Sequence, residues 1–100
     1  MVLKVSWLSH ASFLIEADQT KILIDPFVTD NPLAPVKADE IEADFILVSH
    51  GHGDHVGDTI EIAKRTGATV VSNFEIQNWF VGQGVENAHP MHIGGGFDFD

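Results

Sequence analysis

Short apolar blocks separated by polar turns open the chain, and this pattern predicts β-strands. Residues 2–8 alternate roughly between apolar and polar side chains, and two further apolar blocks follow at residues 13–15 and 21–24. The polar segment 17–20 between the last two blocks suits a hairpin connection. The pattern therefore predicts three strands of one sheet with an antiparallel start.

Strand and helix signals alternate in the middle of the chain. Residues 43–49 contain a continuous apolar run, which is typical of a strand buried on both faces. Asp58 and Glu61 then have the spacing of a capping box and predict a helix over residues 58–66. A short apolar stretch at residues 69–72 completes a predicted βαβ unit.

The last part of the chain carries one more helical pattern. Asn73 can cap this helix, and three apolar side chains at spacings of three and four, Ile76, Trp79 and Phe80, predict a side that faces the core. Residues 94–100 then alternate apolar and acidic residues, which predicts a strand that is cut short.

Three histidines and one aspartate lie within six consecutive positions after the apolar run, in a segment that we call the ligand loop, residues 49–55. They are His50, His52, Asp54 and His55. Imidazole nitrogen and carboxylate oxygen are ligands of zinc, manganese and iron. A polar surface loop commonly has one or two histidines, but four coordinating groups between glycines that permit a tight turn indicate a metal site.

This cluster resembles a known signature. It has the H-x-H-x-D-H form of the metallo-β-lactamase fold superfamily of metal-dependent hydrolases. Residues 9–16, 22–26 and 91–95 look like the superfamily's branch of uncharacterised metal-dependent hydrolases, which is similar to the ascorbate-phosphate lactonases. The resemblance implies an α/β fold, the αββα sandwich of metallo-β-lactamase type, of which this chain supplies the N-terminal β-sheet and its helices. We therefore expect residues 1–100 to be the N-terminal half of such a domain, truncated at the C-terminus.

The resemblance also implies how the ligands are used. It assigns His50 and His52 to one ion and Asp54 and His55 to a second. Two zinc ions are the expected cofactor, with manganese or iron as alternatives. Asp54 is also expected to be catalytic, because a carboxylate beside a bound hydroxide can orient it or carry a proton to the leaving group.

Two residues outside the ligand loop are candidates for the same site. His10 lies where the first strand should end, which fits either an unused loop histidine or a site residue. The resemblance favours a catalytic His10 that orients substrate or adds a ligand. Asp25 precedes Pro26 at the end of an apolar block, so its position alone also fits a strand-ending turn. The resemblance implies that Asp25 does not bind the metal itself but holds the ligand loop in place through hydrogen bonds.

Composition narrows the choice of partners. Fifteen acidic and five basic residues give a formal charge of −10, which argues against nucleic-acid binding because phosphate backbones need a basic surface. The chain has no cysteine, so the metal ligands must be nitrogen and oxygen. No apolar run approaches the roughly 20 residues that cross a bilayer. We therefore expect no membrane partner, and a cytoplasmic location is the default.

Functions from different classes fit these observations. The first is a metal-dependent hydrolase that uses a metal-activated hydroxide on a small-molecule ester, lactone, amide or phosphodiester, with the site incomplete in this chain alone. The alternative is a noncatalytic metal-binding or assembly module that pairs with the C-terminal half of the domain or with a second copy of the chain. A third option keeps the fold and uses iron for redox chemistry.

Overall fold

Six strands form one sheet in the computed structural model, which describes residues 2–99, and they lie side by side in chain order. The strands are β1 (Leu3–Trp7), β2 (Phe13–Ala17), β3 (Thr20–Ile24), β4 (Phe45–Leu47), β5 (Thr69–Ser72) and β6 (Ala88–Pro90). Neighbours among β1, β2 and β3 are antiparallel, and neighbours from β3 to β6 are parallel. The predicted antiparallel start and the predicted βαβ unit are confirmed.

Helices lie in the connections between the parallel strands. They are a 3-10 helix (Ala38–Glu40), α1 (Gly53–Val56), α2 (Thr59–Thr66) and α3 (Phe74–Gly82). Because β4, β5 and β6 follow one another in one direction across the sheet, right-handed crossovers bring α2 and α3 to the same face. None of the helices within residues 2–99 combines the length and the apolar character that crossing a membrane requires.

The core lies between this face of the sheet and the helices. Leu23, Ile46 and Val70 stand side by side across three parallel strands and are fully buried. They belong to one cluster with Ile62 of α2 and Phe80 of α3. Because alternate strand residues point to opposite faces, the residues between them belong to the other side of the sheet.

That other side, which we call the open face, is apolar and poorly covered. Leu3, Val5 and Trp7 of β1 are 58%, 57% and 64% exposed. In β4 the outward Phe45 and Leu47 are only half-buried. The predicted burial of this strand on both faces is therefore wrong for residues 2–99, because the helices cover one face only.

The predicted strand at residues 94–100 is also absent from its described part, residues 94–99, while Asp100 lies outside the described residues. The aromatic side chains of this segment pack on the sheet instead. The Phe99 ring lies 5.1 Å from the Phe45 ring, and the Phe97 ring lies 4.3 Å from the His89 ring. The apolar residues of the pattern thus pack on the open face without joining a strand ladder.

Asp58 has a different task from the predicted one. It precedes α2, but its side chain makes no capping hydrogen bond. Its carboxylate accepts the amide N–H groups of Val28 and Thr29 and the Thr29 hydroxyl. The predicted capping box is wrong because these three donors occupy the carboxylate. Asp58 thereby ties the loop after β3 to the start of α2.

The predicted core stripe of α3 holds only in part. Asn73 caps the helix as predicted, since its side-chain oxygen accepts the Ile76 amide N–H at 2.9 Å. Phe80 is fully buried and Ile76 packs against the core. Trp79 is 47% exposed, because it borders an open pocket beside Gly51 and Val56.

Gly57 joins the ligand loop to α2 at a place where no side chain fits. Its φ is +47° and its ψ is −122°. A Cβ at this position would lie 2.3 Å from the Pro26 carbonyl oxygen and 2.7 Å from the Phe27 Cα. We expect Gly57→Ala to lower the free energy of unfolding by about 2–3 kcal/mol, because it adds backbone strain to overpacking. Denaturant unfolding measures this loss.

The matched control is Gly82→Ala at the end of α3. A Cβ there meets no heavy atom within 4 Å, and alanine favours a helix more than glycine does by about 1 kcal/mol. We expect this variant to be as stable as the original protein or slightly more stable. An equal loss of stability in both variants would contradict the steric explanation.

Candidate metal centre

The ligand loop follows β4 at the sheet edge where the parallel strands end. β4 stops at Leu47, and the loop then enters α1, which has His52 at its N-terminal cap and carries Asp54 and His55. The carboxyl ends of parallel strands are where open α/β sheets bind ligands. The sequence did not predict α1, because a four-residue helix is too short to show a helical repeat.

The side chains of the predicted ligands converge at this edge. The centroid of the His50 ring lies 4.0 Å from that of His55 and 4.8 Å from that of His52. One ligand atom from each of His10, Asp54 and His55 lies within 4.8 Å of the other two. The rings of His50 and His52 lie beside this set. The structure therefore brings together all four motif residues and His10.

His10 reaches the site from the turn after β1. Its Nε2 lies 3.1 Å from Oδ2 of Asp54, and its ring packs edge-on against Phe27. Ser9 and His10 have φ angles of +75° and +54°, a conformation that costs a non-glycine residue about 1–2 kcal/mol. The Trp7 indole N–H steadies the turn by donating to the His10 carbonyl at 2.8 Å. Such strain concentrates at functional sites, where neighbouring contacts maintain it.

Two neighbouring histidines act on the carboxyl group of Asp54. Desolvation acts to raise the pKa of its carboxyl group, but the hydrogen bond with His10 and the electrostatic interaction with His55 help to outweigh this effect and leave the pKa below its ordinary value. A carboxylate must be deprotonated to bind a metal ion. The two neighbouring histidines thus favour the deprotonated form of Asp54, which is the form that a ligand needs.

Asp25 lies behind the ligand loop and holds it from the end of β3. Its side chain is buried, and its Oδ1 accepts the Ser49 amide N–H at 2.7 Å. Its Oδ2 lies 2.6 Å from the Ser49 hydroxyl and 2.9 Å from Nδ1 of His55. A carboxylate that engages Nδ1 leaves the Nε2 of the same ring free to bind a metal. Asp25 therefore fixes both the backbone of the loop and the orientation of His55.

Sequence reasoning missed two serines of this site. The Ser49 hydroxyl lies between Asp25 and Nδ1 of His50, which is 2.8 Å away. Ser12 is fully buried, donates to the Asp25 carbonyl and accepts the Phe27 amide N–H. It thereby supports Asp25 in its positive-φ conformation of +43°. A serine beside an apolar run carries no local signal of either role.

The donor set suits a divalent metal ion. Every candidate ligand atom is an imidazole nitrogen or a carboxylate oxygen, a combination that zinc binds readily and that manganese and iron also accept. His55 already has its Nδ1 engaged by a carboxylate, as is usual for metal-binding histidines. The residues present therefore fit a metal centre by their chemistry.

Comparison with known proteins agrees with this site. Residues 4–97 match the family described as the beta-lactamase superfamily domain. A protein of Heliobacterium modesticaldum named metal-dependent hydrolase is 57% identical over 98 residues, which are 98% of this chain and 41% of that protein. A metal-dependent hydrolase of Methanopyrus kandleri is 53% identical over 93 residues, which are 93% of this chain and 40% of that protein. The chain thus spans about two fifths of the length of these curated relatives.

Solved structures share the fold. A metallo hydrolase from Ignicoccus hospitalis is 33% identical, with a TM-score of 0.88 over 97% of this chain and 42% of its own. CmlA beta-hydroxylase is 14% identical, with a TM-score of 0.68 over 91% of this chain and 21% of its own, and shows likeness in fold alone. The predicted fold class is confirmed. By its family match, its fold and the motif at its sheet edge, this chain belongs to the beta-lactamase superfamily.

Proposed function

We propose that the protein is a metal-dependent hydrolase whose ligand loop binds two divalent ions. The observation that carries this proposal is the cluster of ligand atoms from His10, Asp54 and His55, with the rings of His50 and His52 beside it at the sheet edge. The names of the relatives from Heliobacterium modesticaldum and Methanopyrus kandleri, and of the Ignicoccus hospitalis protein, support the same activity.

His50 and His52 would hold one ion, and Asp54 and His55 the other, with zinc as the first choice and manganese or iron as alternatives. When bound, such an ion lowers the pKa of a coordinated water to about 7, which makes hydrolysis accessible at neutral pH. Catalytic zinc usually has three protein ligands, so two ions need more side chains than these four. Residues 1–100 therefore supply part of the site in this proposal, and further sequence supplies the remainder.

Asp54 has a second task besides ligation. Its side chain is 48% exposed, so the ionised carboxylate is accessible and would accept a proton from the attacking water and pass it to the leaving group of a bound substrate. His10 positions that carboxylate through the contact between its Nε2 and Oδ2 of Asp54. The exposed His10 ring is also placed to orient the substrate or to add a ligand.

The substrate in this proposal is a small molecule with an ester, lactone, amide or phosphodiester bond. Hydrolysis of these bonds develops negative charge on oxygen, which divalent ions stabilise. The charge of −10 disfavours a nucleic acid as the substrate, because binding its backbone requires a basic surface.

The open face favours a second role, which is assembly. Its exposed Leu3, Val5 and Trp7 are alternate residues along β1, and the residues paired with them on β2 are also apolar. Contiguous exposed apolar side chains mark interfaces. We propose that a second sheet, encoded by further sequence of the same protein, covers this face. A second copy of residues 1–100 is the alternative occupant, and it corresponds to the noncatalytic module.

Elemental analysis of the purified protein, together with its mass in solution, tests both proposals. We expect two divalent ions per chain in a monomeric longer protein that includes residues 1–100. His52→Ala should lose one ion, whereas the control His89→Ala, whose ring packs against Phe97 and Phe99, should lose none. A longer protein that contains no metal would refute the hydrolase. Two ions per chain in an oligomer of residues 1–100 alone would show that a second copy, and not a second sheet of the same protein, covers the open face. Iron as the sole metal would favour redox chemistry over hydrolysis.

A further inference from the structure

The Ser49 hydroxyl joins two groups of the metal centre that do not touch each other. It lies 2.6 Å from Oδ2 of Asp25 and 2.8 Å from Nδ1 of His50. The amide N–H of the same residue donates to the other oxygen of Asp25 at 2.7 Å. Ser49 is therefore held at two points by one buried carboxylate, and its hydroxyl is aimed at the histidine that follows it.

The number of protons in this chain of contacts determines the direction of each hydrogen bond. A carboxylate only accepts, and a serine hydroxyl has one proton to give. If that proton pointed to His50, two oxygens that both lack a proton would face each other at 2.6 Å. The proton therefore points to Asp25, and the hydroxyl oxygen accepts a proton from Nδ1 of His50. The lone pair of His50 is then on Nε2.

We propose that Ser49 is a positioning residue that sets the tautomer of His50 and so directs its Nε2 to the metal. This inference rests on the proposed function for its purpose, but its geometry stands on the contacts alone. Asp25 would then control two ligands, since it engages His55 directly and His50 through the Ser49 hydroxyl. One buried carboxylate thus orients one ligand from each of the two proposed ions.

The tautomer of His50 in the metal-free full chain tests the proposal by ¹⁵N NMR of the imidazole ring. We expect the proton on Nδ1 in the original protein. In Ser49→Ala the acceptor is gone, so we expect His50 to shift towards the Nε2–H form that free imidazole side chains prefer. Ser49→Thr keeps a hydroxyl and should restore the Nδ1–H form. Affinity for zinc, measured separately by titration of the longer protein that includes residues 1–100, should fall about 10- to 100-fold in Ser49→Ala and recover in Ser49→Thr.

Ser72→Ala is the matched control, because the Ser72 hydroxyl is buried and donates to the Val48 carbonyl at 2.8 Å on the neighbouring strand. It removes a comparable hydrogen bond and should leave the His50 tautomer unchanged. An Nε2–H form in the original protein, or an Nδ1–H form that persists in Ser49→Ala, would overturn the inference. If the original protein shows the Nδ1–H form and loses it in Ser49→Ala but the longer protein that includes residues 1–100 binds no zinc, the positioning contact stands and the proposed hydrolase fails.

Discussion

Asp54→Ala is expected to lower turnover by about 100- to 10,000-fold in the protein that carries the complete site. The substitution removes a proposed ligand of the second ion and the proposed proton carrier at the same time. It also leaves Nε2 of His10 without its partner 3.1 Å away. Turnover of a chromogenic phosphodiester and of a chromogenic ester tests this expectation. Metal content is measured on the same samples, and we expect Asp54→Ala to lose one ion per chain.

Asp39→Ala provides the control, because Asp39 is an exposed carboxylate on the 3-10 helix, away from the ligand loop. We expect normal turnover and both ions in this variant.

His10→Ala separates the two roles left open for His10. A variant that keeps both ions but has a raised KM would indicate that His10 orients the substrate, and a variant that loses an ion would indicate that His10 is a ligand. Full turnover in Asp54→Ala, or in metal-stripped protein, would contradict the proposed mechanism.

Asp25→Ala is expected to weaken both the fold and the metal site. It leaves the Ser49 amide N–H and Nδ1 of His55 without the acceptor they have now, and an unpaired buried donor costs about 1–3 kcal/mol. We therefore expect the free energy of unfolding to fall by about 2–4 kcal/mol. Because Asp25 fixes the orientation of His55, metal affinity should also fall about 10- to 100-fold. Denaturant unfolding and zinc titration measure the two effects.

Asp18→Ala is the matched control for this variant. Asp18 also has a positive φ, +56°, and its side chain also accepts an amide N–H, that of Val2 at 3.0 Å. It lies in the exposed hairpin between β2 and β3, away from the ligand loop. We expect a smaller loss of stability and no change in metal affinity. Unchanged zinc affinity in Asp25→Ala would show that its hydrogen bonds serve the fold alone.

The elements that sequence patterns predicted well are those specified by neighbouring residues. The apolar blocks that became β1 to β5 alternate or run continuously over a few positions, and strand periodicity is a local property. The cap of α3 is similarly local, because Asn73 and the N–H it accepts are three residues apart. The ligand loop is also a local feature, since its donors are nearly consecutive, and its use in metal binding stays a prediction.

The predictions that failed depended on what a residue meets across the fold. Asp58 had a local option, the first turn of α2, but its carboxylate took the donors of residues 28 and 29 instead. Trp79 has the spacing of a core residue, yet it borders an open pocket beside Gly51 and Val56 and is 47% exposed. The pattern of residues 94–99 suited a strand, but its aromatic rings pack on the open face.

The sequence by itself determined which donors this protein has, their nitrogen and oxygen chemistry, and the superfamily whose motif they form. Only the tertiary structure decided which side chains meet. His10 lies 44 positions from Asp54, and Asp25 lies 24 positions from Ser49. Contacts over such separations arise because β1, β2, β3 and β4 pair in that order. The carboxyl ends of β1, β3 and β4 therefore lie at the same edge of the sheet, and the loops that follow them meet there. Local periodicity carries no information about strand order, so the network behind the ligands emerges only when the sheet has formed.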